Sequence, residues 1–124
     1  PGVPSLEDLA VENAVEGCVR ETYGALLASF QAVRASDSEV ATTMDVIARD
    51  ETRHAALSWA IMHWAVPQLS EEGRGRVARA MEGAASALFG ELGPSDPVLM
   101  GVAGVPPVGE QRRLLARLVE RLRS

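Results

Sequence analysis

Apolar residues in the first third of the chain recur every three or four positions. Leu6, Leu9, Val15, Val19, Tyr23, Leu26, Leu27, Phe30 and Val33 form one stripe, which predicts a helix from about Ser5 to Ala35. Ser5 suits its N-cap, and Glu7 and Asp8 suit the positive end of its dipole. A second stripe is built of small residues, Ala10, Ala14, Gly17, Gly24, Ala25, Ala28 and Ala32, with Glu21 as its one large member. Small residues let another helix come close. The polar run from Ser36 to Glu39 predicts a turn, with Asp37 or Ser38 as the cap of a second helix from about Glu39 to Val66, ended by Pro67. Val40, Met44, Ile47, Ala48, Ala55, Leu57, Ile61 and Met62 are its apolar positions.

So short a connection makes these two helices an antiparallel hairpin. Ser70 opens a third helix with Glu71 and Glu72 in its first turn, and Val77, Ala80, Met81, Ala84, Leu88, Phe89 and Leu92 on its buried face. The stretch from Gly93 to Pro97 breaks it. Residues 98–108 are apolar but rich in Gly and Pro, and read as an ordered loop with one short turn. A last helix runs from about Gly109 to Arg123 with Leu114, Leu115, Leu118, Val119 and Leu122 inward. The expected fold is all-α: a single domain over residues 1–124, with a long antiparallel helical hairpin (5–67) and two shorter C-terminal helices (68–124).

Composition narrows the function classes. At 124 residues and 47% hydrophobic, the chain can bury one modest core. No apolar run reaches the roughly 18 residues that span a bilayer, and no secretory signal opens the sequence; a cytoplasmic location is the expectation. Pro1-Gly2-Val3-Pro4 reads as a linker, so the sequence is expected to be a trimmed form or a piece of a longer protein. All twelve basic residues are Arg, and they are interspersed in a chain of net charge −5, which argues against a nucleic-acid footprint. One Cys excludes an internal disulfide.

The candidate chemistry lies on the hairpin. Glu51 and His54 are three residues apart on the second helix, so they share a face one turn apart and can close on one metal ion. With the turn centred near residue 37, facing positions sum to about 73 or 74. Glu51 then lies level with residues 22 and 23 and His54 with 19 and 20, so Glu21 falls between them. Glu16 is the alternative carboxylate, about a turn and a half further along. A carboxylate buried in a stripe of Ala and Gly without a partner would be costly, so Glu21 must be solvated, ion-paired or metal-bound. One Glu from one helix plus Glu-x-x-His from the next is half of the ligand set of di-iron carboxylate bundles. Oxygen and imidazole nitrogen suit iron, manganese or zinc. Asp50, Arg49 and Arg53 flank the motif as candidate supporting partners.

The residues around these positions resemble the ferritin-like superfamily of ferritins, bacterioferritins, rubrerythrins and encapsulated ferritins. Ile47 to Ala55 (Ile-Ala-Arg-Asp-Glu-Thr-Arg-His-Ala) is similar to the ligand helix of those proteins, and Arg20 to Ala25 (Arg-Glu-Thr-Tyr-Gly-Ala) to their single-Glu helix. The run from Glu16 to Thr22 resembles the second half of a group of bacterial ferritin-like domain proteins. The likeness covers roughly residues 5–67. It implies metal-ligand roles for Glu21, Glu51 and His54, with both carboxylates available to bridge, and two iron ions per completed bundle. A complete bundle has two such helix pairs and this chain has one. Either a second copy supplies the other pair across a two-fold axis, or an absent N-terminal half does.

Several residues carry plainer readings. Cys18 reads as a small buried residue, His63 as a surface or helix-end histidine on the face opposite His54, and Trp59 and Trp64 as packing residues. Tyr23 reads as a core tyrosine, with a hydrogen bond to a metal-bound carboxylate as its functional alternative. The implied activity is Fe(II) oxidation or reaction with dioxygen or peroxide. The rival expectations are a non-enzymatic helical assembly module, and a structural zinc or manganese site at a dimer interface.

Overall fold

The structure is a computed structural model that describes residues 2–123. It is all-helical, with no strand among the described residues. The first rod is α1 (Leu6–Glu12), a π-helical segment (Asn13–Arg20) and α2 (Glu21–Arg34) in unbroken succession. After a short turn, α3 (Ser38–Ala65) runs back along the rod. A single 3₁₀ turn (Val66–Gln68) leads to α4 (Glu71–Glu91), and α5 (Pro97–Val102) and α6 (Val108–Arg123) follow. None of the described helices is long and apolar enough to cross a membrane.

The helix starts follow local chemistry. Ser5 Oγ accepts from the Asp8 backbone N–H at 3.0 Å, Asp37 Oδ1 from Glu39 and Val40, and Ser70 Oγ from Gly73 at 3.0 Å. Each satisfies N–H groups that the helix itself leaves unpaired.

The first rod is the spine of the core. Ala10, Ala14 and Cys18 pack against Met62 and Ala65 of α3, Leu69 of the connection that follows, and Val77 of α4. Val19 and Tyr23 pack against Ala84 and Leu88 of α4 and Leu114, Leu115 and Leu118 of α6. Leu115 and Leu118 are almost wholly buried, and burial on that scale is worth roughly 1.5–3 kcal/mol per side chain.

The π segment was not anticipated by the α-helical periodicity. The N–H of Glu21 bonds to the carbonyl of Glu16, five residues back. This wider turn spreads three consecutive buried residues over three neighbours: Gly17 meets Ser58 of α3, Cys18 joins the first cluster and Val19 the second. It also rotates the N-terminal turns relative to α2, so a single stripe cannot run the length of the rod. Leu9 of the apolar stripe is 48% exposed, while Ala10 of the small-residue stripe is buried. Val33, of the same apolar stripe, is 80% exposed, because it lies in the last turn of the rod on a side that no other element covers.

Residues 98–108 depart from the loop expected there. Asp96 Oδ1 accepts from the backbone N–H of Val98 and Leu99, and Pro97 occupies the first helical position of α5, a start signal that the sequence carried. The segment then clasps the hairpin turn. Ser36 N–H donates to Gly101 and Asp37 N–H to Val102. Gly104 has φ +64°, and a Cβ there would stand 2.8 Å from the Gln31 carbonyl oxygen, so backbone conformation and space both require glycine.

Arg76 ties α4 to the first turn of α1, donating to Glu7 Oε2 at 2.9 Å and Asp8 Oδ1 at 2.8 Å. The hydrogen bond from Arg76 and that from Ser5 hold the Asp8 pKa below its ordinary value. A carboxyl whose pKa is lower folded than unfolded contributes stability above its unfolded pKa and loses it as pH falls through the folded value. Arg76→Ala is therefore expected to lower the thermal midpoint slightly at neutral pH. The difference from the parent chain should shrink as acid titrates Asp8, and thermal melts across the acidic range measure this. A gap that stays constant with pH would mean that Arg76 acts by packing alone.

Candidate metal centre

Three candidate ligand groups meet where the first rod and α3 run side by side. One carboxylate oxygen of Glu21, one of Glu51 and one ring nitrogen of His54 lie within 4.8 Å of one another. Glu21 is the first residue of α2 beyond the π segment. Glu51 and His54 lie one turn apart on α3, as the i,i+3 spacing requires. Both carboxylates are half-buried and the imidazole is exposed.

Among the described residues, no arginine pairs with either carboxylate. The side chains of Glu21, Glu51 and His54 form no hydrogen bond or ion pair with another described residue. The arginines nearby are engaged elsewhere: Arg20 with Glu91 at 3.5 Å, Arg49 with Asp45 at 3.1 Å, and Arg53 with Asp50. Asp50, Arg49 and Arg53, expected as supporting partners of the motif, thus pair within their own helix surface. At the effective dielectric near a protein surface, two unit charges this close repel by roughly 3 kcal/mol before salt screening. A bound cation would turn that cost into attraction. The donor set, two hard oxygens and one imidazole, fits iron, manganese or zinc.

Glu16 does not join the three. Its side chain is exposed on the π segment, while its backbone carbonyl accepts from the Glu21 N–H. Cys18 is fully buried, and burial, with a smaller contribution from the charge of Glu21, pushes its thiol up to about 12. It packs within the first core cluster and is not among the three groups that converge. Tyr23 lies in the second core cluster against Leu88 and Leu115. Its pKa is raised by burial and then by the charge of Glu91. His63 is exposed and tilts against Trp59 at 6.5 Å between ring centres.

Two features of the site were not read from the sequence. The first is the close contact one turn beyond it. A Cβ on Gly17 would overlap Ser58 Oγ and stand 2.6 Å from Ser58 Cβ. Gly17 is four residues before Glu21, and Ser58 four after His54, so this contact limits how closely the two helices approach beside the candidate site. Asn13 Nδ2 reinforces it by donating to the Ser58 carbonyl at 2.9 Å, and Ser58 Oγ donates back to the His54 carbonyl at 3.0 Å. Gly17 within the small-residue stripe was the available signal. The second is Trp59, whose indole N–H donates to Thr22 Oγ1 at 3.1 Å and so ties α3 to the residue after Glu21. The sequence marked Trp59 for packing only.

No family model matches the chain, and no curated protein or solved structure matches it either.

Gly17→Ala is expected to cost roughly 1–3 kcal/mol of stability, the range for overpacking a tight contact, as read by urea denaturation. The double variant Gly17→Ala/Ser58→Gly removes the side chain that the new methyl would strike. It should recover part of the loss despite the penalty of a second helical glycine; no recovery at all would show that another contact limits the approach of the helices.

Proposed function

We propose that this chain is a ferritin-like metal-binding protein in which Glu21, Glu51 and His54 are one half of a di-iron carboxylate centre. The observation that carries this reading is the convergence of two half-buried carboxylates and an imidazole within 4.8 Å, with no ion pair to an arginine among the described residues. The Glu plus Glu-x-x-His pattern on two packed helices supports the di-metal assignment over a single isolated ion. Iron, when bound, supplies the electrons for reaction with dioxygen or peroxide as it passes from the ferrous to the ferric state.

The protein's own residues do the remainder. Glu21 and Glu51 would each offer carboxylate oxygens to the metal. His54 would supply a ring-nitrogen donor. The rigid hairpin holds the three donors in place before metal arrives, which lowers the ordering cost of binding.

Three protein ligands are too few for a pair of metal ions, so a second hairpin is needed. The exposed face of α3 supports such a partner. Ile47, Leu57, Ile61 and Trp64 are all exposed there, at spacings that line one side of the helix with His54 between them. An apolar face of this kind is commonly an interaction surface. A second copy related by a two-fold axis, or a further helical pair of a longer chain, would cover it and bring the complementary ligands.

Anaerobic Fe(II) titration followed by exposure to air tests the proposal. The expected result is uptake of about one ion per chain, with ferric absorbance appearing on oxidation. Glu51→Ala/His54→Ala should abolish both. Zinc binding with no redox change would instead leave a structural site, and unchanged metal content in the double variant would remove the metal centre altogether. Solution mass, measured with and without metal, distinguishes a second copy from a missing segment.

A further inference from the structure

A cleft lies between α3 and α6, floored by α2. It consists of two adjoining cavities of about 490 and 250 Å³ that share Thr22, Leu26 and Arg121. None of the three metal-site residues lines it. Thr22 and Thr52 do; each directly follows a candidate ligand and is turned about a hundred degrees from it around its helix. The cleft therefore opens on a different side of the hairpin from the carboxylates.

We propose that this cleft binds a small carboxylate with a compact apolar body, of the size of a medium-chain fatty acid. The walls are apolar: Ala25, Leu26, Ala55 and the ring of Trp59. The hydrogen bond from Trp59 to Thr22 fixes the indole plane as one of them. The small side chains on α2 and α3 leave the volume, which falls within the range of small-molecule sites.

The polar end carries a guanidinium and hydroxyl donors. Arg117 stands on α6 at the rim of the cleft, in a chain whose net charge is −5. Arg117 forms no ion pair with another described residue, whereas Arg113 on the same helix is paired with Glu110. The Thr22 hydroxyl accepts from Trp59, and its own proton is not spent on a described backbone carbonyl. The hydroxyl protons of Thr52 and Ser58 go to the Ala48 and His54 carbonyls. A guanidinium and a free hydroxyl donor beside an apolar trough suit an acceptor anion with a hydrocarbon tail. This proposal stands independently of the metal centre.

Octanoate is a suitable probe, in a Trp64→Phe background that leaves Trp59 as the sole indole. Trp64 is exposed, so the change should not disturb the core. The expected result is a saturable shift of the Trp59 indole N–H resonance, with a dissociation constant on the order of a millimolar or tighter for so small a ligand. Arg117→Gln should weaken binding about tenfold, as loss of a charged hydrogen bond does, and octanol should bind at least about tenfold less tightly than octanoate. Absence of a saturable shift overturns the proposal. So does equal binding of octanol and octanoate, or unchanged affinity in Arg117→Gln.

Discussion

The distance between the first helical rod and α3 is the constraint on which the rest of the molecule depends. It is limited where Gly17 faces Ser58, at a contact with no room for a methyl group. Small buried residues, among them Ala14, Ala25 and Ala28 on the rod and Ala48 and Ala55 on α3, keep the approach close along much of the seam. Asn13 and Ser58 add hydrogen bonds across or beside it. With larger residues here, the helices would separate and three remote polar groups would not meet. The convergence of Glu21, Glu51 and His54 is thus a consequence of backbone proximity, and the proposed metal chemistry inherits its geometry from a glycine.

That proximity has an electrostatic cost. Two carboxylates face each other in a half-buried place while the neighbouring arginines pair with Asp45, Asp50 and Glu91. A protein selected only for stability would place an arginine or an alanine at such a position. The other half-buried carboxylates, Glu7, Asp50 and Glu110, are each paired with an arginine, and the described residues include no buried side-chain polar atom left without a partner. The unanswered pair stands out against that background, and this contrast supports the proposed cation site. The two sides of α3 differ in a related way. One helps to wall the cleft with Thr22, Trp59 and α6, and the other presents Ile47, His54, Leu57, Ile61 and Trp64 to solvent.

Much of this architecture was legible in the chain. Ser5, Asp37 and Ser70 cap their helices as their side chains predict, because capping is a local interaction between a short polar side chain and an N–H two or three residues on. The short turn after Arg34 fixed the register of the hairpin closely enough to place Glu21 level with Glu51 and His54. The helix α5 carried a legible start in Asp96 and Pro97, but the Gly and Pro around it outweighed that signal. Leu9 and Val33 share the apolar stripe yet are exposed, for physical reasons: a π turn changes the angle between successive residues, and a helix end is buried only if another element reaches it.

Residue type and spacing alone determined that the chain is helical, where most of its helices begin and end, and which three side chains can share a face of the hairpin. These follow from local sterics, capping and turn length, which act over a few residues. Tertiary structure decided the rest: the π segment, the Gly17 and Ser58 contact, the pairing of Trp59 with Thr22, and the cleft against α6. Each depends on how residues tens of positions apart compete for the same space, and such competition is settled only when every helix is packed against its neighbours.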